Sequence, residues 1–215
     1  MRSFLTGLLM LASAAPALAD KSCKEQVDAA FSKLREAKSF RLETTITNSE
    51  GTLKMSADYV LPDRMHQKVV LGKDGLPMEM IVIGKQAWSN QGSGWVALSE
   101  AFANTVANQI KETVAEAPKA ATDYKCVGDK EFEGKTYALY EGVLPTPLPA
   151  DGKTKGPRVS AVTVPNQQSV YVDKTTGLPV RNIVAPVTEP DKRLFDGTFV
   201  VGENIAIEAP KVSSN

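Results

Sequence analysis

From residue 22 onward the spacing of apolar positions changes character several times, and each change marks an element. Ser22 followed by Glu25 has the form of a capping box. Val27, Ala30, Phe31 and Leu34 then recur at i, i+3, i+4 and i+7, which predicts a helix with one apolar face. Cys23 precedes Val27 by one helical turn and falls on that face. From Phe40 the period drops to two. Phe40, Leu42, Thr44 and Ile46 alternate with Arg41, Glu43, Thr45 and Thr47, and a polar turn follows at 48–51. Leu53, Met55, Ala57 and Tyr59 repeat the alternation up to Leu61-Pro62-Asp63. Met65 to Val70 forms the next strand, followed by a glycine-rich turn at 72–75. Met78 to Ile83, Ala87-Trp88 and Trp95-Val96 continue an antiparallel meander joined by short turns.

Between Ser99 and Ala117 the helical period returns. Phe102, Val106, Ile110 and Val114 recur every four residues, with Ser99 as N-cap and Pro118 as stop. Strands are expected again at Tyr124–Gly128, Lys135–Val143, Ser169–Asp173, Val180–Val187, Leu194–Val201 and Ile205–Glu208. Thr175-Thr176-Gly177 supplies a turn, and Asp196-Gly197 reads as a turn or a bulge. The segment 144–168 follows neither period: Pro145, Pro147, Pro149, Pro157 and Pro165 are mixed with Asp151 to Gly156. Loops of this length are uncommon inside compact domains. It reads equally as a flap or as a surface insertion, with a short strand at Val159–Val164. The pattern as a whole is α+β, mainly β.

The first 19 residues stand apart. Arg2, a short apolar run from Phe4 to Leu11 and the small residues Ala17 and Ala19 make a secretory signal peptide cleaved before Asp20. The run is too short for a spanning helix, for which ~20 apolar residues are needed. A signal anchor is the competing reading. Nothing after it approaches that length, so no transmembrane segment is expected in the mature chain. The expected location is the periplasm, with secretion as the other possibility, and residues 20–215 form one domain.

Charge narrows the partners. Twenty-five basic residues balance 25 acidic ones, so there is no cationic excess for a phosphate backbone, and nucleic acid is excluded as a partner. The two cysteines, Cys23 and Cys126, read most simply as one disulfide in an oxidising compartment. Lipidation of Cys23 is the alternative. It conflicts with Asp20-Lys21-Ser22, which separate the cysteine from the cleavage site.

Candidate catalytic chemistry is sparse. His66 is the single histidine and sits in a predicted strand without a nucleophile motif beside it. Gly128 to Thr136 superficially matches a phosphate loop. It has five residues between its glycines where that loop needs four, and it carries Asp129, Glu131 and Glu133 where phosphate would bind. One histidine and two distant cysteines make no zinc site. No catalytic residue, metal or cofactor is expected. The more distinctive signal is soft and apolar: Met55, Met65, Met78 and Met80 fall in consecutive strands, with Tyr59, Trp88 and Trp95. Methionine adapts to ligands of variable shape, although ordinary core packing accounts for each residue taken singly.

Several segments, in order, resemble a known superfamily. They are Ser39-Phe40-Arg41-Leu42-Glu43 after an N-terminal helix, Tyr59-Val60-Leu61-Pro62-Asp63-Arg64-Met65, and Ile83 to Trp88 followed by Gly94-Trp95 and a helix. Val172 to Arg181, Phe199 and Ile205 to Pro210 complete the series. This order is similar to that of the bacterial envelope lipid and lipoprotein carriers, the superfamily of LolA, LolB and LppX. The resemblance implies an incomplete antiparallel β-barrel whose concave face is covered by helices, with an apolar cavity between them. Its expected walls are Leu42, Ile46, Met55, Tyr59, Met65, Met78, Met80 and Trp88. Phe102, Val106 and Ile110 of the 99–117 helix would point into the same cavity, with that helix as its candidate gate. The implied function is a non-enzymatic carrier of a lipid, an acylated ligand or another amphiphile, with an envelope protein as donor or acceptor. An envelope sensor or interaction module with a filled core is the alternative, and a hydrolase using His66 is a distant third.

Overall fold

The computed structural model describes residues 22–49, 51–72, 75–115, 123–144 and 164–212. The segment 1–19 expected to be a signal peptide, most of the proline-rich 144–168 segment and the end of the expected 99–117 helix lie outside these residues. So does all of the Val159–Val164 strand except Val164, which joins no strand.

The capping box at Ser22 is formed. Its hydroxyl accepts from the Glu25 amide at 3.2 Å, and the Glu25 carboxylate accepts from the Ser22 amide at 2.7 Å. It opens α1 (Cys23–Glu36), which buries Val27, Ala30 and Leu34. The alternating segments form β1 (Ser39–Asn48), β2 (Gly51–Val60), β3 (Arg64–Leu71), β4 (Met78–Ile83), β5 (Gln86–Asn90) and β6 (Trp95–Ala97). Ser99 caps α2 (Glu100–Ile110), which continues as a π-helical turn over Lys111–Ala115. There follow β7 (Tyr124–Phe132), β8 (Lys135–Val143), β9 (Asn166–Val172), β10 (Pro179–Pro186) and β11 (Phe195–Val201).

All eleven strands form one antiparallel sheet in the order β6-β5-β4-β3-β2-β1-β11-β10-β9-β8-β7. The first meander runs outward from β1 to one edge. The chain then crosses, carrying α2, to the opposite edge and returns from β7 to β11, which pairs with β1. The edge strands β6 and β7 do not pair with each other, so the barrel is incomplete. Because side chains alternate, the register sets two faces. Phe40, Leu42, Met55, Tyr59, Met65, Met80, Asn182, Phe195 and Phe199 share the concave face with both helices. Arg41, Asp58, His66, Ile81, Trp88 and Arg181 occupy the convex one.

The Cys23–Cys126 disulfide is formed, with Cα atoms 5.4 Å apart and a sequence separation of 103. It fixes the first turn of α1 to β7. The Tyr140 hydroxyl adds a second tie by donating to Gln26 Oε1 at 2.7 Å.

Three expectations need correction. Ile205–Glu208 joins no ladder. It lies face-on against the convex side, where Ile207 packs on Ile81 and Trp88 and its carbonyl accepts from Arg64 Nη1 at 3.0 Å. The alternation there records burial against side chains rather than sheet pairing. Asp196-Gly197 is neither turn nor bulge but lies in regular register inside β11. The Asp196 carboxylate is held by Arg181 at 2.7 and 2.6 Å and by Arg193 at 2.8 Å. Gly197 leaves room for the Phe195 ring, 2.8 Å from where a Cβ would stand. Finally, β7 does not stop at Gly128; that glycine, at φ 103°, absorbs a bulge and the strand runs on to Phe132.

A candidate ligand cavity beneath the first helix

The concave face is covered in two different ways. Under α2 the packing is closed. Ala103 and Ile110 are buried with Ala57, Tyr59, Met65, Val82 and Ala87, and Met80, Val106 and Val114 pack against that cluster. Under α1, Val27, Ala30 and Leu34 are buried against the sheet, but the contact between helix and sheet is incomplete. A cavity of about 720 Å³ opens between them, within the ~300–1,000 Å³ range of small-molecule sites.

Its apolar surface comes from Val27, Phe31 and Leu34 of α1, from Phe40, Leu42, Tyr59, Phe195 and Phe199 of the sheet, and from Val114 and Leu144. The alternating phases of β1 and β11 place Leu42 opposite Phe199, and Phe40 beside both Tyr59 and Phe199. Phe31 meets Phe199 edge to face at 5.8 Å. Polar groups enter from α1 (Lys24, Asp28, Ser32, Arg35) and from the strands (Tyr124, Gln168, Asn182). Lys24 and Asp28 pair at 2.6 Å. Burial pushes the Tyr59 phenol up to about 12; burial and then the Asp28 charge do the same for Tyr124. Both therefore remain protonated donors at neutral pH. Thr44, next to Leu42 on the same face of β1, is buried, and its hydroxyl has no hydrogen-bond partner among the described residues.

Of the residues expected from sequence, Leu42 and Tyr59 line this cavity. Met65 and Ile110 are buried in the closed cluster, and Met80 and Val106 pack against it. Ile46 and Met55 share the concave face outside the cavity lining. Met78 and Phe102 are largely exposed, at 43 % and 47 %. Trp88 is on the convex side with Ile81 and Ile207. The lining residues that sequence reasoning missed include the α1 stripe itself, Phe40, Phe195 and Phe199, and the polar Tyr124, Gln168 and Asn182. For the apolar ones the signal was present: the stripe at Val27, Phe31 and Leu34, and the phase of Phe195, Gly197 and Phe199 relative to β1.

His66 faces away from the cavity. Its Nε2 lies 2.9 Å from Glu79 Oε2, and Lys68 shares that carboxylate at 3.5 Å. Among the described residues no group of three or more His, Cys, Asp or Glu side chains is placed to hold a metal ion.

No protein-family model matches the sequence, and no curated protein matches it. The fold is nevertheless shared with solved structures. LprF from Mycobacterium bovis matches with a TM-score of 0.53 and 11% identity, over 87% of this chain and 96% of that one. The lipoprotein LppX of Mycobacterium tuberculosis matches with a TM-score of 0.54 and 10% identity, over 86% and 98% of the two chains. At such identity the likeness is one of fold. The chain has the LppX-like architecture, an incomplete β-barrel with helices on its concave face, as the sequence resemblance implied.

Proposed function

We propose that this chain is an exported carrier that takes an acyl chain or a similar amphiphile into the cavity between α1 and the sheet. The observation that carries the reading is the cavity itself: about 720 Å³, walled by aliphatic and aromatic side chains, beside a half of the same face that packs solidly. Filling it requires little directional chemistry, because each methylene removed from water is favourable by ~0.8 kcal/mol. The signal-like pattern of residues 1–19 supports the periplasm as the place of this activity, where donor or acceptor envelope proteins would load and empty the cavity. Among the described residues no helix is long and apolar enough to cross a membrane. Catalysis forms no part of the proposal, since His66 is engaged with Glu79 on the opposite face.

The closed packing under α2 favours a second reading, an envelope sensor or interaction module on the same fold. Native mass spectrometry and solvent extraction of protein purified from the periplasm separate the two. The carrier reading expects a co-purifying acylated species, or stoichiometric uptake of a hydrophobic fluorescent probe by delipidated protein. Bare protein that also takes up no probe would overturn it in favour of the interaction module.

A further inference from the structure

The cavity is not uniform along its length. The α1 residues that border it run from Lys24 to Arg35, a helical rise of roughly 16 Å. Beside the end at Leu34 the floor is Phe40 and Tyr59, with Leu42 and Phe199 next to them. Toward the Lys24 end the floor becomes polar. The Tyr124 hydroxyl donates to Gln168 Oε1 at 2.7 Å, and Gln168 Nε2 donates to Asn182 Oδ1 at 2.9 Å. These three side chains come from three strands, all face the cavity and are all partly buried.

The row is ordered but unfinished. The Asn182 amide nitrogen carries two N–H groups with no hydrogen bond among the described residues, and Gln168 Nε2 uses one of its two. Donors left without partners when water is displaced are costly, so an occupant of the cavity must offer acceptors there. The local charge balances, because Lys24 is paired with Asp28 and the tyrosine and both amides are neutral. The floor at this end therefore suits a neutral acceptor rather than an anion. The competing anchor is Arg35, whose guanidinium makes no hydrogen bond or ion pair with the described residues and which borders the opposite end. A long cationic side chain at a cavity rim can keep its head in water. The amides on the floor have no such escape once the cavity is filled.

We infer that the ligand is an amphiphile with an uncharged hydrogen-bonding neck, an ester, amide or hydroxyl, held at Tyr124, Gln168 and Asn182 while its tail extends toward Phe40 and Tyr59. This rests on the carrier reading above and adds to it the ligand's polarity and direction.

Three pyrene probes with equal tails test it against full-length mature protein: dodecylpyrene, pyrenedodecanoic acid methyl ester and pyrenedodecanoic acid. The ester should bind about threefold to tenfold more tightly than the hydrocarbon, the value of one net hydrogen bond. Asn182→Leu and the near-isosteric Gln168→Met should each bring the ratio of ester to hydrocarbon affinity to about one, and Arg35→Gln should keep the wild-type ratio. If Asn182→Leu melts early, Gln168→Met decides. Equal binding of hydrocarbon and ester by the wild type would overturn the inference and leave the carrier reading standing. So would tightest binding by the free acid with loss of that preference in Arg35→Gln. Binding of none of the three probes would overturn both.

Discussion

Beneath α2, Ala103 is 1 % exposed and Ile110 is 4 % exposed, both closed against Ala57, Met65, Val82 and Ala87. Beneath α1, Phe31, Phe40 and Phe199 stand edge to face or tilted against one another around a cavity of about 720 Å³. The difference lies in side-chain size at the facing positions. Three alanines let α2 approach the sheet closely, and methionine fills the irregularities. Under α1, Val27, Ala30 and Leu34 reach the sheet, but the bulky rings of Phe31, Phe40 and Phe199 leave gaps beside those contacts that rigid aromatics cannot fill. The α1 side is also tied covalently at one end, so its position over the sheet is held there. One face thus contains a packed core and a preformed site side by side.

The largest expected effect strikes the tie. In the chain-entropy account, removing a cross-link across a loop of this length costs on the order of 4–5 kcal/mol. The Cys23→Ser/Cys126→Ser variant should lose about that much in denaturant unfolding, and it should bind hydrophobic probes poorly because α1 is no longer held at its first turn. A double-serine protein with wild-type stability and affinity would show that the tie does not maintain the cavity.

Next in size is overpacking of the closed half. Ala103→Trp has no space to enter, and such insertions cost about 3 kcal/mol, or a fall of roughly 6–12 °C in melting temperature for a domain of this size. Calorimetry showing an unchanged transition would mean that the α2 side also contains room.

A smaller effect follows from pH. Tyr59 bridges the two regions, and burial raises its phenol from 10.0 to about 12. Burial and the Asp28 charge raise Tyr124 similarly. A group raised in the folded state contributes fully below its unfolded value and loses that contribution as pH climbs through the folded one. Denaturant midpoints should therefore hold up to pH 10 and decline towards pH 12, with Tyr59 accounting for about 1 kcal/mol by roughly pH 11. A midpoint indifferent to this range would mean that water reaches both phenols.

Much of the architecture was legible in the sequence because periodicity reports it directly. The capping box and stripe gave α1, and strict alternation gave β1 to β3 and their common face. The failures share a cause. Ile205 and Ile207 alternate as a strand does but are buried against Ile81 and Trp88 by a segment outside the ladder. Gly128 read as the end of a strand and Asp196-Gly197 as a turn or a bulge, yet Gly128 absorbs a bulge inside β7 and Gly197 accommodates a ring. The site was less legible than the fold. Periodicity put Met65 and Met80 on the concave face, but whether a face residue meets a cavity or a helix depends on how close the covering helix comes. That distance is set by Ala57, Ala87 and Ala103 on one side and by Phe40 and Phe199 on the other, which lie far apart in sequence. Trp88 was misplaced more simply: it is one position out of phase with Ala87, which faces inward.

The contrast between an open and a closed half is tested most directly by the stoichiometry of hydrophobic-probe binding to Leu42→Trp, with Ala103→Trp as its counterpart. Leu42 borders the cavity, so an indole there should occupy the ligand's volume, abolish probe binding and move the melting temperature by no more than about 2–4 °C. Ala103→Trp, assayed below its lowered transition, should still bind one equivalent. Full binding by Leu42→Trp, or a loss of stability matching that of Ala103→Trp, would contradict the presence of a preformed cavity beneath α1.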